Sequence, residues 1–219
     1  MRAVSFLVAA AVLAACQSKP PEPPPKAVTD LSGKVCDSKV SLVDAIALTP
    51  KKAKAWQDIF TQVTAETPCI GEADASANYV VYALPDHGPN HVITIGGLNQ
   101  VQRTLAPKVM LLDWNGEVTR AFGSDKFQYH GENYSVQFRP SEDDRYILVE
   151  TDPELVGETE TGFETRLVMG QGTVATPTGS ASYTTYSGRE GATWRTFSHE
   201  GVVSVRIQAV NGKIGQPAG

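Results

Sequence analysis

The chain has 219 residues, a formal charge of −5 and 41% hydrophobic residues. A mildly acidic protein has no electrostatic attraction for nucleic acid or for anionic lipid headgroups, and no run of Lys and Arg creates a local exception, so both are excluded as charge-driven partners. The length allows one domain of the larger all-β kind or two small ones.

At the N-terminus one positive charge, Arg2, precedes an uncharged stretch from Ala3 to Ala15. It is too short for a membrane span with functional flanks and suits a secretory h-region. It ends in Leu13-Ala14-Ala15-Cys16, which resembles the bacterial lipobox. The resemblance implies that residues 1–15 are a signal peptide, that the Cys16 thiol receives a diacylglycerol after cleavage, and that the new amino terminus is acylated. An ordinary signal-peptidase site is the competing reading of the same residues. Cleavage before Cys16 removes Arg2 and moves the formal charge to −6. Gln17, where an Asp would signal inner-membrane retention in Gram-negative lipoproteins, favours the outer membrane facing the periplasm.

Residues 16–33 form the next unit, a Pro-rich tether behind the lipidated cysteine. Proline lacks the N–H donor and fixes φ near the polyproline value, so residues 17–26 can join neither helix nor sheet. Residues 34–219 are expected to be one β-rich domain, within which 34–72 is a helical subregion closed by a disulfide. Cys36 and Cys69 remain once Cys16 is lipidated, and an oxidising compartment makes a bridge between them the default. A 33-residue separation corresponds to about 3–4 kcal/mol in the chain-entropy description. A metal pair or free thiols are the alternatives, but no His lies at ligand spacing and no C-x-x-C is present.

Between these cysteines Thr49 can cap a helix, Pro50 suits its first position, and Trp56, Ile59, Phe60 and Val63 recur at helical spacing. An amphipathic helix ending before Pro68 is expected, with Trp56 and Phe60 buried.

From Tyr79 onward the period changes to two. Expected strands are Tyr79–Leu84, His91–Gly96, Lys108–Trp114, Glu117–Phe122, Tyr134–Phe138, Arg145–Thr151, Thr165–Met169 and Val203–Ala209, a pattern of an antiparallel β-sandwich or barrel-like domain. Asn115-Gly116 predicts a two-residue type I′ hairpin. Its register opposes Trp114 to Glu117, Leu112 to Thr119 and Met110 to Ala121, and brings Asp113 near Arg120 as an ion pair. Neither hairpin face is cleanly polar, which implies that both are partly covered.

Several of these strands, Tyr79-Val-Val-Tyr-Ala-Leu-Pro85, Val92-Ile-Thr-Ile-Gly96, Ala106-Pro-Lys-Val-Met-Leu-Leu-Asp113 and Arg145-Tyr-Ile-Leu-Val-Glu-Thr-Asp152, resemble in order strand motifs of the maltose-operon periplasmic protein family. The resemblance covers roughly residues 75–170. It implies an all-β periplasmic protein associated with carbohydrate uptake, without enzymatic activity and with no functional residues to carry over.

No nucleophile elbow, zinc-protease, phosphate-loop or dinucleotide motif is present. His87 and His91 flank a turn and lack a third metal ligand. Asp113-Trp-Asn-Gly116 has its glycine in the wrong place for a calcium loop. Glu150, Asp152, Glu154, Glu158, Glu160 and Glu164 offer the carboxylate pairs that glycoside hydrolysis needs, but in a Thr/Gly-rich setting expected to be solvated. Trp194, Tyr183 and Tyr186 stand in a Gly/Ser/Thr-rich stretch, 170–196, read as a long loop. The aromatics are read first as pinning that loop; rings exposed there would instead stack on sugars or on a protein partner. The expected function is a non-enzymatic envelope lipoprotein needing no cofactor or metal, its partners the membrane through Cys16 and an envelope protein or glycan. A carbohydrate-binding module is the alternative, and a hydrolase of unrecognised type the third reading.

Overall fold

A computed structural model describes residues 22–50, 56–72, 75–86 and 91–209, with backbone alone at 163–166 and 189–190. The signal segment, Cys16, the first tether residues, the start of the expected helix at 51–55 and His87 lie outside the described residues. The described chain is mainly β.

Two sheets carry the fold. The first runs β1 (Ile46–Ala47), β4 (Ala77–Ala83), β11 (Tyr146–Thr151), β7 (Pro107–Leu112) and β8 (Val118–Phe122), with β3 (Cys69–Ile70) also on β4. The second centres on β5 (His91–Gln100), which pairs antiparallel with β10 (Asn133–Phe138) on one side and β14 (Gly201–Ala209) on the other. Beyond these lie β9 (Gln128–His130) next to β10 and β2 (Trp56–Val63) next to β14. The last residues of β5 pair with β6 (Arg103–Leu105), and β6 leads to β13 (Gly179–Ser198) and its partner β12 (Thr159–Thr176).

Alternation decides which side chains meet. Val80, Tyr82, Val109, Leu111, Ile147 and Val149 of the first sheet pack on Ile93, Ile95, Val136, Phe138, Val203, Val205 and Ile207 of the second, every one of them buried. The expected sandwich is therefore present, with the Tyr82 hydroxyl donating to Thr61 Oγ1 at 2.6 Å between the layers. Burial pushes the Tyr82 pKa above that of free tyrosine.

The first sheet is covered on its outer side as well. Tyr79, Val81, Leu112 and Leu148 form a second apolar layer with Val40, Leu42 and Ala45 of the N-terminal segment, and Ser41 N donates to the Tyr79 hydroxyl at 3.0 Å. This is why β4 reads as a continuous apolar run, and it bears out the expectation that neither face of the β7–β8 hairpin is bare.

The Cys36–Cys69 disulfide is formed, with Cα atoms 4.7 Å apart. It holds the N-terminal segment against β3, where Asp37 N donates to Cys69 O at 2.9 Å. Lys34 Nζ adds hydrogen bonds to Asn78 Oδ1 at 2.6 Å and Thr67 O at 2.5 Å. Desolvation lowers the Lys34 pKa despite nearby Glu200 and Glu66.

Two expectations need correction. Trp56–Val63 is not helical: it is an edge strand, paired along its length with β14. Ile59, Thr61 and Val63 face inward while Trp56, Asp58, Phe60 and Gln62 face out, so Trp56 and Phe60 are exposed at 62% and 58%. The helical spacing had mixed residues from both faces of a strand whose aromatic and β-branched content suits a sheet. Trp56 is matched instead to Arg206 of β14, whose guanidinium lies 5.8 Å from its ring and bonds both Asp58 carboxylate oxygens at 2.6 and 3.0 Å.

The β7–β8 turn is the second. Gly116 N donates to Asp113 O at 3.2 Å, Asp113 N to Glu117 O at 3.0 Å, and Gly116 has φ +81°. The loop is thus Trp114-Asn115-Gly116, a wider turn that a left-handed glycine closes. Met110 opposes Ala121 as expected, but a bulge puts Leu112 opposite Val118 and not Thr119. Asp113 spends its carboxylate on the turn, accepting from Asn115 N and Glu117 N at 2.8 and 2.9 Å, which lowers its pKa. Arg120 pairs instead with buried Asp144 at 3.3 Å.

Replacing Cys36 and Cys69 together by Ala should lower unfolding free energy by about 3 kcal/mol, read as a lower urea midpoint. A loss under about 0.5 kcal/mol would show that noncovalent contacts alone hold the strap.

Candidate functional site

Stretch 170–196 is not a loop. β12 and β13 pair in continuous antiparallel register from Thr159↔Thr196 to Thr176↔Gly179, forming one long two-stranded ribbon. Only its base joins a sheet, where Thr196, Phe197 and Ser198 pair parallel with β6. From Thr161 and Trp194 to the tip, the backbone pairs with nothing but itself. Alternating large and small residues make this geometry workable. The Tyr183 ring lies across Gly172, where an added Cβ would come within 2.5 Å of Cζ.

The register sorts the three aromatic candidates. Residues directly opposed share a face, so Trp194, opposite Thr161, and Tyr186, opposite Met169, stand on one side of the ribbon. Tyr183 stands on the other, with Val168 and Val174. All three rings are exposed, at 65%, 63% and 51% respectively. The rings therefore do not pin a loop, and they do not share one site: eight residues of strand separate Trp194 from Tyr186, about 26 Å.

Trp194 lines an open groove at the ribbon base, together with Lys26, Ala27, Val101, Gln102 and Thr196. The N-terminal segment is fixed beside it. Val28 N donates to Ser198 Oγ at 2.9 Å, His199 N donates to Val28 O at 2.8 Å, and Arg103 donates to Lys26 O at 3.2 Å.

Of the acidic residues, Glu154 and Glu158 are exposed between β11 and β12, as expected, but Glu150 is not. Glu150 is a buried residue of β11 paired with Lys108 Nζ at 2.9 Å, a contact that raises the lysine pKa. Asp152 and Glu154 border an open pocket with Lys108, Glu150 and Asp125. Glu160, at the ribbon base, accepts a hydrogen bond from the Tyr129 hydroxyl, and burial together with that carboxylate pushes the phenol pKa up. His91 opens β5, opposite Ala209. Among the described residues no three His, Cys, Asp or Glu side chains are grouped to hold a metal.

Sequence reading missed one polar assembly. Asn78 N donates to Thr151 Oγ1 at 3.0 Å, Asn78 Nδ2 donates to His199 O at 2.9 Å, and Thr151 Oγ1 lies 2.9 Å from His199 Nδ1. With Lys34 on Asn78 Oδ1, these join the N-terminal strap to β4, β11 and the β13–β14 turn. No local spacing links residues 34, 78, 151 and 199, so only the fold could reveal them. Buried polar groups bonded in this way fix one arrangement of their elements. A neutral His199 ring with its proton on Nε2 accepts the Thr151 hydroxyl proton at Nδ1. Desolvation lowers the His199 pKa, opposed by Asp30 and assisted by Lys34.

Comparison with protein-family models, with curated proteins and with solved structures finds no match to this chain. Function has then to be inferred from its own residues and geometry.

The histidine sets a pH dependence. Unfolded, the ring titrates near about 6.5, and folded it titrates lower. Between the two values the unfolded chain binds more protons, so stability is full above about 6.5, falls as pH drops below it, and levels off beneath the folded pKa. The urea midpoint should decline from pH 7.5 to 5 in the parent and decline less in His199→Gln. Equal slopes would remove His199 as the source.

Proposed function

We propose that the protein is a non-enzymatic envelope lipoprotein, anchored through Cys16 on the periplasmic side of the outer membrane, that works by protein contact and is accessory to carbohydrate uptake. The observation that carries this reading is the ribbon. Leu167, Met169, Tyr186 and Trp194 are 61–68% exposed on one face of a two-stranded element whose edges are unpaired. Leu167, Met169 and Tyr186 lie together and, with Trp194 farther toward the base, mark an interaction surface; past its base the ribbon belongs to neither core layer. The lipobox resemblance supplies the anchor, and the strand motifs of residues 75–170 supply the link to carbohydrate uptake.

One observation favours a second reading, a carbohydrate-binding module. The Trp194 groove is open and offers an indole face beside the amide of Gln102 and the ammonium of Lys26, the combination that stacks and hydrogen-bonds a sugar.

Cys16→Ala should move the protein from the membrane fraction to a soluble or unprocessed form. Equal membrane association of both forms, with no acyl group on the parent, would overturn the anchor. Trp194→Ala should leave the unfolding free energy within about 0.5 kcal/mol while weakening capture of a crosslinked envelope partner by about 2 kcal/mol, roughly thirtyfold. A rise in Tm with maltodextrin that Trp194→Ala abolishes would select the sugar reading. Saturable hydrolysis of an envelope glycan would refute the non-enzymatic proposal.

A further inference from the structure

Residues 167–188 contain no Asp, Glu, Lys, Arg or His, in a chain where 20% of residues are charged. This run is the distal part of the ribbon. It comprises 167–176 on β12 and 179–188 on β13, ten residues each, and Arg166 and Arg189 close it at opposed positions of the register. Ten residues at about 3.3 Å rise, tilted 35–45°, cover about 23–27 Å, the height of the apolar band that transmembrane β-strands cross. A water-exposed ribbon has no need to exclude charge over that length and no other. Its two faces also differ. In the outer half one presents the pairs Gln171–Thr184 and Thr173–Ser182, and the other presents Gly172–Tyr183 and Val174–Ala181; nearer the body the first presents Leu167–Gly188 and Met169–Tyr186, and the second Val168–Ser187 and Gly170–Thr185.

We propose that the uncharged half of this ribbon inserts into a lipid bilayer, with the Val168, Val174, Ala181 and Tyr183 face toward lipid and the Gln171, Thr173, Ser182 and Thr184 face toward water, that second face carrying Leu167, Met169 and Tyr186 at its end nearest the body, where the contact surface of the proposed function stays open to a partner. Open strand edges do not survive in hydrocarbon, where each unpaired N–H and C=O costs several kcal/mol. The occupant of each edge is therefore the ribbon of another copy of this chain, and a ring of copies closes a barrel to which each contributes two strands.

The tether geometry agrees, and here the inference rests on the Cys16 anchor of the proposed function. The N-terminal segment meets the body at Lys26 and Val28, on Arg103 and Ser198, at the base of the ribbon. Nine residues of sequence, 17–25, stand between that point and Cys16, a length of chain that would span about 28 Å at about 3.1 Å per residue. Residues 159–166, the charged part of β12, reach about 26 Å. Anchor and ribbon leave one corner of the sandwich with matching reach, so a bilayer holding the acyl chains meets the ribbon where its charges stop.

The test uses the mature full-length protein in phosphatidylethanolamine–phosphatidylglycerol vesicles. An environment-sensitive fluorophore is placed on single cysteines introduced at Val174, Ala181, Thr173 and Ser182, in both the acylated chain and a Cys16→Ala background, with vesicles added in excess to the latter. Mass of the mature N-terminus reports acylation separately, so failure of the anchor and failure of insertion are distinguishable. Labels at 174 and 181 should shift to the blue and be quenched by lipid-borne nitroxide, while labels at 173 and 182 stay open to aqueous iodide. Trapped dye should escape, and Val174→Arg should cut that release by at least about tenfold without changing acylation or Tm. Four labels that remain aqueous on protein-bearing vesicles in both backgrounds would overturn insertion. Labels that enter lipid without crosslinkable multimers and without dye release would overturn the ring.

Discussion

Burial of the layer between the two sheets is the interaction on which everything else depends. Ile93, Ile95, Val203, Val205 and Ile207 from one side and Tyr82, Val109, Leu111 and Ile147 from the other have essentially no solvent exposure. Each such side chain contributes about 1.5–3 kcal/mol of transfer free energy, more than the roughly 0–1 kcal/mol of a typical surface ion pair. The charged contacts are arranged around that layer and locate its edges. Arg206 with Asp58 and Arg120 with Asp144 each tie neighbouring segments at the rim of a sheet.

A consequence is that stability and contact are carried by different parts of the chain. The sandwich is sealed on its inner face, and the N-terminal strap seals the outer face of the first sheet. The ribbon shares in neither layer past its base. Its side chains are free to answer to something other than folding, whereas the equally exposed Trp56 and Trp114 are each matched to an arginine, Arg206 and Arg145, at 5.8 and 4.9 Å.

The strands were legible wherever one face meets the core, because burial imposes the two-residue period directly on sequence. Tyr134–Phe138 and Val203–Ala209 are examples. At Trp56–Val63 the period is masked, since two exposed aromatics imitate a helical stripe and Arg206, which lies over the Trp56 ring, comes from far along the chain. The ribbon was legible only at Thr165–Met169 and illegible elsewhere, for a different reason. With neither face buried it has no apolar alternation, and its Gly, Ser and Thr content is that of a loop; only cross-strand pairing makes it a strand pair. The Asp113 turn shows the limit of dipeptide signals: Asn115-Gly116 does turn the chain, but the Asp113 carboxylate selects a wider loop. The candidate rings are exposed and do not pin a loop, and their division between two faces depends on register, which composition does not encode.

The placement of the disulfide has a mechanical meaning. A pull on the chain upstream of Lys26 would first load the hydrogen bonds at Lys26 and Val28, and then the Lys34 ammonium on Asn78 and Thr67. Peeling of the N-terminal segment can proceed residue by residue until it reaches Cys36, where the covalent bond to Cys69 passes the force into β3 and the adjoining β4. The first ten or so residues of the described chain can thus act as a slack line, and the sandwich bears load only once that line is drawn to its fixed end.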